Sequence, residues 1–246
     1  MTDTSMRRFG VDVEKRDDGT TILRCPEPLA SVPTSLVAVL RDRAAAHPDR
    51  DFLCERDESG AWRRLTYAQL LEGANAVAQA LLDGGYGPSR PLAILSDNSI
   101  NQAIMMFGAM TVGIPAMPVS PAYSLMSQDH EKLNIVIGHN DPAVIFVDNP
   151  APFMKALASI DLSGRTLIVG RACDGLEDAV LLAEWLAVAP GPAVAAAAAG
   201  IGLDTIGKIL LTSGSTGMPH GVRHSRRVCV SHTVPMGEMF PVREGQ

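Results

Sequence analysis

Residues 211–222 read LTSGSTGMPHGV, a run of small and hydroxylated residues set between an apolar segment and a basic one. Gly214, Gly217 and Gly221 permit backbone angles closed to other residues, so successive N–H groups can turn inward around an anion. Thr212, Ser213, Ser215 and Thr216 add hydroxyl donors, and such a loop orients several phosphate oxygens without burying several cations. Clusters of Gly, Ser and Thr are commonly plain surface loops. Position argues for more here, because 206–211 (IGKILL) reads as a short buried strand and the cluster begins at its end, where α/β sheets bind ligands. Neither GxxxxGK[ST] nor the GxGxxG dinucleotide pattern is present in this stretch.

Such a loop needs a sheet behind it, and the rest of the chain supplies the pattern for one. Ser35 is a candidate cap for a helix with Leu36, Val39, Leu40 and Ala44 on one face, closed by His47-Pro48. Residues 52–55 and 62–65 suggest an antiparallel pair, and Thr66 caps a helix ending at Gly84-Gly85. Predicted strands at 91–95, 115–119, 143–147 and 165–169 then alternate with predicted helices at 100–112, 127–138, 151–160 and 176–187. Strands separated by helices imply an α/β fold with a mainly parallel sheet flanked by helices. The expected organisation is an N-terminal extension at 1–34 carrying a small hairpin, an α/β unit at 35–189, and an Ala/Pro/Gly-rich linker at 190–203 (PGPAVAAAAAGIG followed by Leu203). The strand, phosphate loop and following helix at 204–246 then begin an incomplete second unit.

Composition narrows the partners. Net charge is −6 and the basic residues are scattered except for RHSRR at 223–227, which argues against nucleic acid; that short run reads as a solvated helix start. Cys25, Cys54, Cys173 and Cys229 are far apart without CxxC, as expected of reduced thiols in the cytoplasm. No apolar leader is visible at the N-terminus, and 103–119 is too short and too interrupted by Pro115 and Pro118 to span a membrane. His224 and His232 would share a helix face if one helix covers both, but no carboxylate accompanies them, so no metal site is expected. Asp97 and Asn98 follow a predicted strand, with Asn98 read as the cap of the next helix, and Met105, Met106, Met110 and Met117 read as core filling.

LTSGSTGMPHGV resembles the phosphate-binding signature of the acyl-adenylate-forming (AMP-binding) superfamily, the acyl-CoA synthetases, peptide-synthetase adenylation domains and luciferases. LTYAQL at 65–70 and FGAMTVGIPAMP at 107–118 resemble its upstream core segments. Within the superfamily, SDNS at 96–99 and VSPAYSLMSQDH at 119–130 resemble the feruloyl-CoA synthases. The resemblance implies an enzyme that joins an aromatic carboxylic acid to ATP with Mg2+ and passes the acyl group to CoA. It implies ATP-binding roles for Thr212, Ser213, Gly214, Ser215, Thr216, Gly217, His220 and Gly221, and no catalytic residue within this chain. The superfamily pattern ends Pro-Lys-Gly where this chain has Pro219, His220 and Gly221; an imidazole is largely uncharged at neutral pH, so weaker ATP binding is expected. The resemblance also implies that later segments of the superfamily's site lie beyond Gln246. The expectation is therefore a truncated ligase, inactive alone and prone to self-association through exposed apolar surface. The alternatives are a non-catalytic nucleotide-binding or regulatory module and a structural subunit completed by another chain.

Overall fold

A computed structural model describes residues 10–27, 31–57, 59–212 and 217–239. The chain opens on an exposed hairpin, β1 (Asp12–Lys15) and β2 (Thr21–Arg24), turned at Gly19. Helix α1 (Leu36–Ala46) follows, its first turn capped by Ser35, whose Oγ accepts from the Ala38 amide at 3.0 Å. A second hairpin, β3 (Asp51–Arg56) and β4 (Trp62–Thr66), leads into α2 (Tyr67–Asp83). Thr66 and Gln69 form a reciprocal capping box at the start of α2.

From there strands and helices alternate. The elements are β5 (Leu92–Ile94), α3 (Ile100–Thr111), β6 (Ala116–Pro118), α4 (Pro121–Leu125), α5 (Glu131–Asn140) and β7 (Val144–Val147). A 3-10 turn (Ala151–Phe153) runs into α6 (Met154–Ser159), followed by β8 (Thr166–Val169), β9 (Val180–Leu181), α7 (Leu182–Leu186) and α8 (Pro192–Ala199). The last elements are β10 (Ile206–Thr212), β11 (His220–Ser225) and α9 (Arg226–Met239).

Seven strands form one sheet in the order β11-β10-β6-β5-β7-β8-β9, parallel throughout except for β11. Alternation along each strand feeds a core on each face. Leu92, Ile94, Val144, Phe146 and Ile168 pack toward α2, α3 and α7; Ala93, Ile145, Val147, Leu167 and Val169 pack toward α5 and α6. Each large side chain buried this way contributes roughly 1.5–3 kcal/mol. Helices α2 and α3 cross closely at Gly108, where a Cβ would stand 2.5 Å from Val77 Cγ1. The α/β fold read from the alternation is the fold observed.

Several elements differ from the sequence reading. Segment 190–203, expected as a loosely ordered linker, contains helix α8: Pro192 occupies its first turn, Gly200 closes it, and alanines favour it throughout. It is docked, with Val194 buried and the Gly191 amide donating to Gln79 Oε1 of α2 at 2.8 Å. Strands β10 and β11 extend the same sheet, with Lys208 of β10 opposite Ala116 of β6. The helix predicted at 127–138 begins later, as α5, after His130 takes a left-handed φ of 53°, and the short α4 ahead of it was not predicted. The helix predicted at 176–187 is β9 and the short α7. Ser99, not Asn98, caps α3, in a capping box with Gln102. His224 lies on β11 and not on the helix that carries His232, so the two do not share a helix face.

Candidate functional site

All the parallel strands end at the same edge of the sheet. Chain order and spatial order diverge at β5: the chain passes to β6 on one side, then returns to β7 on the other. Ligands of open α/β sheets bind at the carboxyl ends around such a reversal. The residues that follow the strands here are Ser96, Asp97 and Asn98 after β5, Asp148 and Asn149 after β7, and Gly170 and Arg171 after β8.

These residues, with the β3–β4 hairpin, line a cavity of about 640 Å³. Its wall is a connected polar network. Asn101 Nδ2 donates to Asp148 Oδ1 at 2.7 Å, and the Asp148 amide donates to Ser96 Oγ at 3.3 Å. Arg63 donates to Asn101 Oδ1 at 3.2 Å and to Glu55 Oε1 at 3.0 Å. The other Glu55 oxygen accepts from the Ile100 amide at 2.7 Å, placing a carboxylate at the start of α3, where the helix dipole favours it. Gly170 closes this wall: a Cβ there would meet the Asp148 backbone oxygen at 2.5 Å. Asp148 could have been found by the strand-end rule that singled out Asp97. Glu55, Arg63 and Asn101 could not, because three separate elements bring them together. A smaller apolar groove of about 420 Å³ adjoins, between β3 and α3, and includes Phe52, Met106 and Phe107.

β10, whose last residue Thr212 opens the glycine- and hydroxyl-rich sequence, ends on the same edge two strand positions from β5, roughly 10 Å at the usual strand spacing. Its neck is well defined. Thr212, the last residue of β10, lies directly opposite His220, the first of β11, and Thr212 Oγ1 donates to the His220 carbonyl at 3.4 Å. Opposed residues of an antiparallel ladder share a face, so the Thr212 hydroxyl and the exposed His220 ring stand on one side of the hairpin. Gly217 has φ +87°, a conformation that L side chains rarely adopt. Gly221 is placed by crowding instead: a Cβ would stand 2.8 Å from Asn140 Oδ1 and 2.9 Å from Ile209 Cγ2. Ser213, Gly214, Ser215 and Thr216 lie outside the described residues. The structure thus brings Thr212, Gly217, His220 and Gly221 to one hairpin end, at the sheet edge expected for a phosphate loop.

The family profile described as AMP-binding enzyme matches residues 40–245. The chain belongs to that family. Among relatives of this AMP-binding chain, the nonribosomal peptide synthetase CymA of Salinispora arenicola is 30% identical over 229 residues, 92% of this chain and 3% of that protein. The sulfoacetate–CoA ligase of Cupriavidus necator is 26% identical over 200 residues, 80% of this chain and 36% of that protein. Among solved structures, a fatty acyl-adenylate ligase from L. pneumophila, in complex with acyl adenylate and pyrophosphate, superposes with a TM-score of 0.64 at 22% identity. That match covers 85% of this chain and 33% of the other, and it shows a common fold with adenylate-forming ligases. The chain therefore spans about a third or less of the length of these relatives.

The rest of the surface bears on partners. The basic run 223–227 is divided by the structure: Arg227 pairs with Asp204 at 3.1 Å, Arg226 is buried, and Arg223 is exposed on β11. Among the described residues no helix is long and apolar enough to cross a membrane. Nor, among the described residues, do three His, Cys, Asp or Glu side chains converge to hold a metal ion.

Proposed function

We propose that this chain supplies the phosphate-binding part of an ATP-dependent, AMP-forming carboxylic acid:CoA ligase acting on ferulate or a related hydroxycinnamate. The observation that carries the reading is the hairpin at the carboxyl end of β10, bearing LTSGSTGMPHG in a chain of the AMP-binding family. Hydroxyls of Thr212, Ser213, Ser215 and Thr216 and the N–H groups around Gly214, Gly217 and Gly221 hold the β and γ phosphates, leaving the α phosphate open to in-line attack. The acid's carboxylate oxygen then bonds to the α phosphorus as the bond to pyrophosphate breaks. The CoA sulfur next bonds to the acyl carbon as AMP leaves.

The difficulty of the first step is that one anion attacks another, so charge on the phosphates must be offset. His220 stands in the neck of the hairpin where the superfamily pattern has lysine, which lowers the positive charge there and weakens ATP binding. Mg2+ bound to ATP would offset part of the phosphate charge. The aromatic acid is supported by the resemblance of 96–99 and 119–130 to feruloyl-CoA synthases. The chain spans about a third of the length of these relatives, and the remaining groups of the site are expected from the other two thirds. Exposed Val222 and Val228 beside the hairpin favour self-association of the isolated chain.

A second reading is activation of an amino acid, favoured by the identity to peptide synthetases. Titration calorimetry and ATP–pyrophosphate exchange separate the possibilities. The isolated chain is expected to bind MgATP weakly, to bind it more tightly as His220→Lys, and to show no exchange with ferulate. Absence of ATP binding by both forms overturns the phosphate role, and robust exchange by the isolated chain overturns its inactivity alone. Exchange by a chain extended in the same reading frame, with amino acids and not with ferulate, decides for the second reading. Saturable ATP binding without exchange by any extended chain marks a nucleotide-binding module.

A further inference from the structure

Arg226 is the first residue of α9 and only 6% exposed. One end of its guanidinium is anchored, Nη2 donating to the Met110 carbonyl at the end of α3. Its Nε–H is buried without a hydrogen-bond partner. Among the described residues the titratable groups that face it are the Cys229 thiol, one turn along α9, and Arg41 of α1; no carboxylate is among them. Burial pushes the guanidinium down to about 10, the direction expected of a cation removed from water without a counter-charge.

A pit of about 10 Å³ lies beside this group, room for one water-sized species. Arg226 and Cys229 form one wall, the start of α1 (Ser35, Leu36 and Val37) forms the other, and Met110 and Gly207 complete it. Ser35 Oγ is occupied by the Ala38 amide, but the amides of Leu36 and Val37 belong to the first turn of α1 and have no acceptor within the helix. Neither helix carries an acidic residue in its first turn. The buried guanidinium and the positive end of α1 therefore converge on one small space.

We propose that this pit between α1 and α9 binds one small monovalent anion of chloride size, held by the Arg226 Nε–H and the first-turn amides of α1. The volume has room for one water-sized species and excludes phosphate or a carboxylate-bearing metabolite. An anion here offsets the buried cation at the root of the β10–β11 hairpin. There the Arg226 and Arg227 amides donate to the Thr205 and Leu203 carbonyls at 2.9 and 2.7 Å. Occupancy thus steadies the base of the hairpin, at the opposite end from its loop.

The test is thermal unfolding of the 246-residue chain in sodium chloride and in sodium gluconate at equal ionic strength, with 35Cl NMR line widths measured alongside. Expected are a midpoint that rises saturably with chloride, by about 2–6 °C, and a chloride line broadened by the protein and narrowed again by excess bromide. Arg226→Met abolishes both effects. So does Gly207→Ala, whose added Cβ projects to 3.5 Å from Arg226 Cγ and 3.9 Å from Met110 Sδ, into the pit, and which serves if the arginine variant does not fold. Equal midpoints in the two salts with an unbroadened chloride line mean that water alone fills the pit and overturn the proposal. A chloride response that survives in a folded variant overturns it as well.

Discussion

Replacing Gly221 with alanine is expected to destabilise the β10–β11 hairpin by crowding rather than by backbone strain. The new Cβ would stand 2.8 Å from Asn140 Oδ1 and 2.9 Å from Ile209 Cγ2, both below any ordinary contact. Neither neighbour yields freely. Ile209 is 5% exposed and fixed in the β10 ladder, and the Asn140 amide is tied back to its own helix by Nδ2 donating to the Val136 carbonyl at 2.9 Å. Moving Asn140 forfeits a hydrogen bond worth about 1 kcal/mol, and overpacking against a fixed apolar neighbour costs about 1–3 kcal/mol. Together these are about 2–4 kcal/mol, and at roughly 2–4 °C per kcal/mol for a chain of this size the melting midpoint falls by roughly 4–16 °C.

Thermal unfolding of the folded chain measures this, and a double-mutant cycle with Asn140→Ala tests its cause. If the clash is the cause, truncating Asn140 clears half of it, and the two substitutions together cost less than the sum of their separate effects by about 0.5–3 kcal/mol. Gly217→Ala is the contrast: no atom lies within 4 Å of its Cβ position, so its cost, about 1–2 kcal/mol, comes from a φ of +87° and does not couple to Asn140. A Gly221→Ala midpoint within 1 °C of the parent, or strict additivity with Asn140→Ala, would refute the reasoning.

Two further outcomes follow from side-chain electrostatics. Asp141 holds a left-handed φ of 42° at the end of α5 while bridging Arg90 at 3.0 Å and Arg165 at 2.9 Å; Asp141→Ala is expected to lose about 1–3 kcal/mol in denaturant unfolding. Asp141→Asn should lose less, since asparagine tolerates that backbone, and equal losses would show that the conformation contributes nothing. Hydrogen bonds from Arg227 to Asp204, from Arg16 and Arg24 to Glu14, and from Ser59 to Asp57 hold these exposed carboxyls below the usual carboxylate range. A depressed folded-state value means that the unfolded chain binds protons first, so this stability is present above pH ~4 and is lost as pH falls through the lower folded-state values. Midpoints measured from pH 6 to pH 2 should decline below pH 4, more shallowly in high salt, and a flat profile would contradict the pairings.

What could be read from the sequence follows from how local each cause is. Ser35 and Thr66 cap the helices they were expected to cap, because a cap and its partner amide lie within three residues of each other. The late start of α5 was not legible, because it depends on His130 adopting a left-handed backbone while its ring is buried and its Nε2 lies 3.1 Å from the Ser124 carbonyl. Helix α8 was hidden by its own punctuation. Pro190, Pro192 and Gly200 read as a connector, yet a proline in the first turn and a glycine at the end suit a short alanine helix once Val194 has a surface to cover.

The candidate site divides along the same line. The phosphate loop announces itself by composition and by following a strand, and both are local properties of residues 206–222. That β10 joins β6, and so shares an edge with the cavity around Asp148, depends on pairing between Lys208 and Ala116, 92 positions apart (208 − 116). The Glu55–Arg63–Asn101–Asp148 network is assembled from β3, β4, α3 and the segment after β7, and no spacing rule connects those positions. A strand-end rule therefore finds the loop and Asp97 from sequence, but the polar wall around Asp148 exists only once the sheet order is set. It follows that substitutions in the loop should act on phosphate contacts directly. Substitutions in the wall should act first on how α3 and the β3–β4 hairpin sit against the sheet, because each polar group there bridges two elements.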